Sequence, residues 1–239
     1  MPFMRDTLEK VFNVLELVAS CDKPISMKEI CEKTGYHPST ASRILADLVE
    51  MGYVRKESYR DFILDLGLVP LGQKALSHFP LSRFTGPLIA ETASKLTCEG
   101  ALAGMHRERL VYLYRGSKPL DGATSEDFRY PLYRSNCGVV ILAGETEEEA
   151  KRLLTAELSA ESKPLSPTVE EFMRRREKAR RNGYALTIQE NHWNVAFPIS
   201  YGGRKFSVAL YGQGDIQDRL EKITLECSLL AGRVQSFGR

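Results

Sequence analysis

The sequence predicts an α+β chain in two parts: a small helical domain closed by a β-hairpin, and a larger domain on an antiparallel sheet. Three observations carry this. Apolar residues recur at helical spacing in three short segments before residue 53. Two short strand-like runs follow, at 53–56 and 61–64, separated by a polar turn. Beyond residue 100, strand-like runs come in adjacent pairs, with helical segments set apart from them. The 239 residues are enough for two modest domains.

Composition narrows the function classes. The chain is 43% hydrophobic and 27% charged, which suits a packed fold and argues against disorder. No apolar run reaches the ~18 residues of a membrane helix. The N-terminus lacks an apolar signal core, so a cytoplasmic protein with no membrane partner is expected. Cys21, Cys31, Cys98, Cys137 and Cys227 are scattered and read as reduced thiols. His37, His78, His106 and His192 show no metal-ligand spacing, so neither metal nor cofactor is expected. A P-loop, a Rossmann glycine fingerprint and a nucleophile elbow are all absent, so no catalytic residue is assigned. Residues 1–84 carry 11 basic and 11 acidic side chains. Net charge therefore does not announce a nucleic-acid partner, and the placement of charge must decide.

The first helix is expected from Thr7 to Ser20, with Asp6 and Glu9 as a capping box and Leu8, Val11, Phe12, Leu15 and Val18 as its buried stripe. Asp22-Lys23-Pro24 breaks it. Ser26-Met27-Lys28-Glu29 is a second capping box, with Ile25 and Ile30 as a hydrophobic staple. Gly35 suits the left-handed end of that helix. A third helix starts at Pro38, buries Ala41, Ile44, Leu45, Leu48 and Val49, and stops at Gly52. Its early outer face carries Ser39, Thr40, Ser42 and Arg43. Helix, turn and hydroxyl-rich second helix make a helix-turn-helix. Tyr53–Lys56 and Asp61–Leu64 then form a hairpin with Arg55, Lys56 and Arg60 near its tip, which completes a winged helix-turn-helix.

That order explains the residue types. A recognition helix presents its N-terminal residues to base edges in the major groove. Ser and Thr donate and accept, and Arg can fork onto guanine. Basic residues on a hairpin tip contact phosphate. Ser39, Thr40, Ser42, Arg43, Arg55, Lys56 and Arg60 are therefore the candidate contacts to double-stranded DNA.

These residues resemble the IclR family of bacterial regulators. The matching runs are Leu8–Leu15, Pro24–Ile30, Gly35, Ser39-Thr40-Ala41-Ser42-Arg43-Ile44-Leu45 and Leu48–Val54. The recognition-helix core S-T-x-x-R-x-L is complete. Pro38 sits one place later than the family's usual proline, and Asp65 stands where a glycine is common. The resemblance is strongest over residues 7–72 and looser beyond. It implies a homodimer made through the DNA-binding domains, often a tetramer through the C-terminal domains. It also implies a small-molecule effector, commonly an organic or aromatic acid.

Three regions are expected: a DNA-binding domain over 1–65, a linker helix within 66–80, and an effector and oligomerisation domain over 81–239. Pro87 is expected to open a helix ending at Leu96. Strands are expected at Gly100–His106, Leu110–Arg115, Phe128–Tyr133, Tyr184–Gln189, Val195–Ser200 and Lys205–Tyr211, with a turn at Gly202-Gly203. Helices are expected at Cys137–Ala143, Thr146–Thr155, Thr168–Asn182 and Asp215–Phe237, and a loop at Pro164 and Pro167. This order agrees with the GAF-like sensor fold that the resemblance implies.

The resemblance places an effector pocket at Ser135-Asn136-Cys137-Gly138, Thr187-Ile188, Asn194-Val195-Ala196 and Tyr211-Gly212-Gln213. Gly138 matches the family glycine. Tyr133, Arg134, Asn136, Thr187, Ile188, Asn194 and Tyr211 depart from the family's usual residues. The expectation is a reshaped pocket edged by Tyr133, Trp193, Phe197 and Tyr211, with Asn136, Cys137, Gly138, Asn194 and Gln213 beside them. Arg134 is the candidate for a carboxylate. The same aromatics read equally well as ordinary core, in a C-terminal domain that only oligomerises. A winged domain fused to an undetected enzyme is the weaker alternative. Cys137 opens a helix, where a thiol pKa can fall, but a wall or buried role is preferred. The basic run Arg174–Arg181 reads as a solvated face paired with Glu170, Glu171 and Glu177.

Overall fold

The computed structural model describes residues 2–106, 109–116, 131–159 and 168–237. They form two compact units, residues 2–78 and residues 79–237. The first holds helices α1 (Pro2–Ala19), α2 (Met27–Thr34), α3 (Pro38–Glu50) and α4 (Leu68–Ser77). Its strands are β1 (Ile25–Ser26), β2 (Val54–Lys56) and β3 (Asp61–Leu64), in the antiparallel order β1-β3-β2. β1 is only two residues long, too short to show an alternating pattern, and the sequence gives no sign of it.

The Ser26 box is present in full: Ser26 Oγ accepts from the Glu29 amide, and the Ser26 amide donates to Glu29 at 2.9 Å. Ile25 and Ile30 are both buried in the unit's core with Val14, Leu17, Val18, Ile44, Leu45, Leu48, Val54 and Phe62. Gly35 ends α2 at φ 71°, and Gly52 follows α3 at φ 72°. The first helix departs from expectation. It begins before Thr7, so Asp6 lies inside it and pairs with Lys10 at 2.7 Å instead of capping it. Its buried face is Val14, Leu17 and Val18, while Leu8 is 56% and Phe12 51% exposed. The expected stripe straddles two faces, and only one meets this unit's core.

The second unit holds α5 (Pro80–Leu96), β4 (Glu99–His106), β5 (Arg109–Gly116), α6 (Asn136–Ala143), α7 (Glu147–Ser159), α8 (Val169–Asn182), β6 (Ala185–Gln189), β7 (His192–Tyr201), β8 (Arg204–Gln213) and α9 (Leu220–Ser236). The sheet is antiparallel throughout, in the order β5-β4-β8-β7-β6. One face packs against α6, α7 and α8, the other against α5 and α9. Pro80 occupies the first turn of α5, so Pro87 lies inside that helix and does not open it. Residues 132–134 form a 3-10 turn, so Tyr133 is not on a strand. Residues 128–130 of that expected strand, and the loop with Pro164 and Pro167, lie outside the described residues.

Register sets up the α6 face. Ala185, Ala196, Ala209 and Ala101 are paired in one transverse row across β6, β7, β8 and β4. Two residues along, Thr187, Asn194, Tyr211 and Glu99 are paired in a second row on the same face. A floor of alanines thus borders a line of polar groups.

Candidate nucleic-acid interface and small-molecule face

The N-terminal edge of α3 is built by its cap. His37 is extended at φ −63° and ψ 142°, and its Nδ1 lies 2.8 Å from the Ser39 hydroxyl. Pro38 then enters the helix where no amide donor is needed. The sequence reading did not single out His37, because histidine is not a usual capping residue. Ala41, Ile44, Leu45 and Leu48 turn inward, and that fixes the opposite face outward. Ser39, Ser42 and Arg43 are exposed, and Thr40 is half-buried. Among the described residues Arg43 has no ion-pair partner, so its charge stands free on the outer face of α3, in the second turn.

The hairpin tip is held by its own polar groups. Ser58 donates to Asp61 at 2.7 Å, and the Arg60 amide donates to Ser58. Lys56 and Arg60 are exposed and make no ion pair among the described residues. Arg55 differs, because it is paired with Glu57. The structure therefore leaves Arg43, Lys56 and Arg60 as free cations in this unit and neutralises Arg55 internally.

The C-terminal candidates do not all come together. Trp193 and Phe197 alternate with Asn194 and Ala196 along β7, so they face α5 and α9, away from the α6 face. Phe197 stacks on Tyr184, and Trp193 covers Gly212. They do not share a wall with Tyr133 and Tyr211. Arg134 is exposed with its guanidinium over the Tyr133 ring, and Gln213 is exposed at the end of β8.

Tyr133, Asn136, Cys137, Gly138, Asn194 and Tyr211 do belong to the α6 side. Asn136 opens α6, is 3% exposed and acts as a hub. Its Nδ2 donates to the Asn194 carbonyl at 2.8 Å, and its Oδ1 accepts from Thr187 at 3.0 Å and from Arg175 at 2.8 Å. Gly138 is there for packing, since a Cβ would lie 2.2 Å from the Leu132 carbonyl oxygen. Cys137 is buried, and burial pushes its thiol up in pKa, against the lowering that a helix start would give. Burial, reinforced by the Glu99 charge, pushes Tyr211 up to about 12.

The basic run of α8 is also corrected. Arg180 and Arg181 are exposed and pair with Glu177, as a solvated face should. Arg176 is 5% exposed and donates to the backbone carbonyls of Leu142 and Glu145. Arg175 reaches Asn136, and desolvation lowers its pKa. A signal existed: Phe172 and Ala179 flank these positions at helical spacing, which places 175 and 176 on the inner face.

Comparison with known proteins agrees with both units. The IclR helix-turn-helix domain matches residues 7–58, and the bacterial transcriptional regulator IclR C-terminal domain matches residues 73–200. The HTH-type transcriptional regulator KdgR of Dickeya chrysanthemi is 28% identical over 198 residues, 80% of this chain. The match spans 64% of that protein's length. An IclR family transcriptional regulator from Brucella abortus has a similar fold, with a TM-score of 0.81 at 24% identity over 97% of this chain and 92% of that one. An IclR homolog from Microbacterium hydrocarbonoxydans, complexed with 4-hydroxybenzoate, gives 0.69 at 21% identity over 96% and 98%. The chain belongs to the IclR family of bacterial transcriptional regulators.

Proposed function

We propose that the protein is a homodimeric transcriptional regulator that binds double-stranded DNA through α3 and the β2–β3 hairpin. In this reading, a small organic acid bound to the second unit changes operator affinity. The observation that carries it is the exposed Ser39-Ser42-Arg43 edge at the N-terminus of α3, with Arg43 free of any ion pair among the described residues. A helix N-terminus with a free guanidinium suits phosphate and base edges.

Self-association is supported by α4, which buries no residue in its own unit. Val69, Leu71 and Leu76 are exposed there, as are Leu66 just before it and Leu8 and Phe12 of α1. A groove of about 650 Å³ lined by Arg55, Leu64, Asp65, Leu66, Leu68 and Val69 adds concave apolar surface. An acid effector is supported by the polar row beside Asn136 and by the 4-hydroxybenzoate bound to the Microbacterium homolog.

The test is selection from a random duplex pool by the full chain at low salt, followed by affinity measurement on the enriched sequence. An enriched inverted repeat with half-sites about one helical turn apart, ~34 Å, is expected. A protein that enriches nothing and ignores every duplex at low salt overturns the reading.

A further inference from the structure

Resting on the DNA-binding reading above, we infer that Tyr59 at the hairpin tip reads bases. Its ring enters the minor groove next to the segment that α3 reads, and its hydroxyl donates to the acceptors of an A·T pair.

The presentation of the ring is the first reason. Tyr59 is 91% exposed, more than any other large apolar side chain among the described residues. It makes no hydrogen bond, ion pair or ring contact among them. A single exposed apolar residue is ordinary on a protein surface. This one stands on a tip whose backbone is held on both sides. The Glu57 amide donates to the Asp61 carbonyl at 3.0 Å, the Ser58 hydroxyl donates to the Asp61 carboxylate at 2.7 Å, and the Arg60 amide donates to the Ser58 hydroxyl at 3.3 Å. A contact made from a fixed turn costs little further ordering. Val54 and Phe62 are the last buried residues on the two strands, so the tip projects beyond the core. The root of the hairpin is tied to α3: the Tyr53 amide donates to the Leu48 carbonyl at 2.9 Å, and Val54 shares a core with Ile44 and Leu48. Tip and recognition helix are therefore carried together.

Charge is the second reason. The two acids of the tip are engaged, Glu57 with Arg55 and Asp61 with Ser58. Lys56 and Arg60 lie on either side of Tyr59 in the chain, exposed and without an ion pair among the described residues. An aromatic ring between two free cations suits a polyanion. A narrow A·T minor groove has an enhanced negative potential that attracts Lys and Arg. At about 6 Å wide, the groove admits a flat ring edge-on. A·T pairs present only acceptors there, adenine N3 and thymine O2, and a phenol hydroxyl is a donor. A G·C pair adds the guanine amino group, which occupies the space that the ring would enter.

The experiment measures binding of the full chain to the selected duplex, with the base pairs adjoining the α3 segment built as A·T, G·C or inosine·C. An inosine·C pair shows the minor-groove face of A·T and the major-groove face of G·C, so it separates the two grooves. A·T and inosine·C flanks should bind alike, and G·C flanks about fivefold or more weakly. Tyr59→Ala should bind A·T flanks about fivefold less tightly and lose the preference, and Tyr59→Phe should recover only part of that loss. Both variants should unfold at the denaturant concentration of the unaltered protein, because the ring touches nothing in the fold. The flank series on the unaltered protein decides even if a variant misfolds. Three flanks bound alike, or a preference that survives Tyr59→Ala, overturn the inference and leave the DNA reading standing. Inosine·C flanks as weak as G·C would place the contact in the major groove and overturn it too. Full affinity of Tyr59→Phe removes the hydroxyl from the contact. If no duplex binds, both readings fall.

Discussion

Nε of Arg176 donates to the backbone carbonyl of Leu142 at 2.9 Å, so a residue from the most basic stretch of the chain closes the far end of α6. The same guanidinium reaches the carbonyl of Glu145. Helix carbonyls at a C-terminus lack intrahelical partners, and a cation there also meets the negative end of the dipole. α8 is therefore bolted to both ends of α6: Arg175 at the start through Asn136, Arg176 at the finish.

Arg176→Ala should destabilise the second unit by about 2–3 kcal/mol, since two carbonyls lose a charged donor and a cavity is left. Lys178→Ala, on the exposed side of the same helix, should change stability by less than ~0.5 kcal/mol. Denaturant unfolding of both variants checks the contrast. Equal effects would mean that α8 does not hold α6 through Arg176.

Gly138→Ala should cost more than ~2 kcal/mol, because its Cβ would meet the Leu132 carbonyl oxygen at 2.2 Å, and backbone cannot step aside cheaply. Displacing α6 also moves Asn136, so any ligand affinity should fall with stability. Gly232→Ala is the control, as its Cβ would meet nothing within 4 Å. It should be neutral or slightly stabilising through helix propensity. Thermal unfolding of the pair measures this.

The first unit was legible because its signals are local. Ser26 with Glu29, Pro38, Gly35 and Gly52 each announce a helix boundary within four residues of chain. The second unit's order of described strands and helices was legible for the same reason, the strand expected at 128–133 excepted. Its site was less so. Residue type alone groups Trp193 and Phe197 with Tyr133, whereas strand alternation puts them behind the sheet. Arg175 was hidden in a run that composition reads as solvent-facing. The Thr187-Asn194-Tyr211-Glu99 row depends on register between strands, which no single segment encodes. Helical spacing alone assigns Leu8 and Phe12 to a core, because a stripe does not say which partner covers it.

Stability of the first unit should depend on acid through Glu29. The Ser26 hydroxyl, and next the Ser26 amide, hold the Glu29 carboxyl below its ordinary 4.5. The folded state then binds that proton less readily than the unfolded chain. Its contribution is complete above the ordinary value and disappears as pH falls through the lowered folded value. Ser26→Ala should lower stability by ~1 kcal/mol at neutral pH and flatten this acid-side decline. Urea unfolding of the two proteins at several pH values between about 3 and 7 tests it. Parallel pH curves would show that the capping box does not set the titration of Glu29.

Arg43 and Lys56 should fail differently when each is removed. Arg43 stands on the α3 edge, where a guanidinium can fork onto a guanine, so Arg43→Ala should cost ~1–3 kcal/mol on the selected duplex and little on unrelated DNA. Lys56 stands on the hairpin, where phosphate is the available partner, so Lys56→Ala should weaken all duplexes alike. The logarithmic salt slope should shrink by about 0.9 for the one lost phosphate contact. Arg55→Ala should do less than either, because Glu57 already compensates its charge. Binding isotherms for the three variants on specific and random duplexes, at three salt concentrations, separate these behaviours. Uniform weakening by Arg43→Ala, with an altered salt slope and no change in sequence preference, would move Arg43 from base reading to the phosphate backbone.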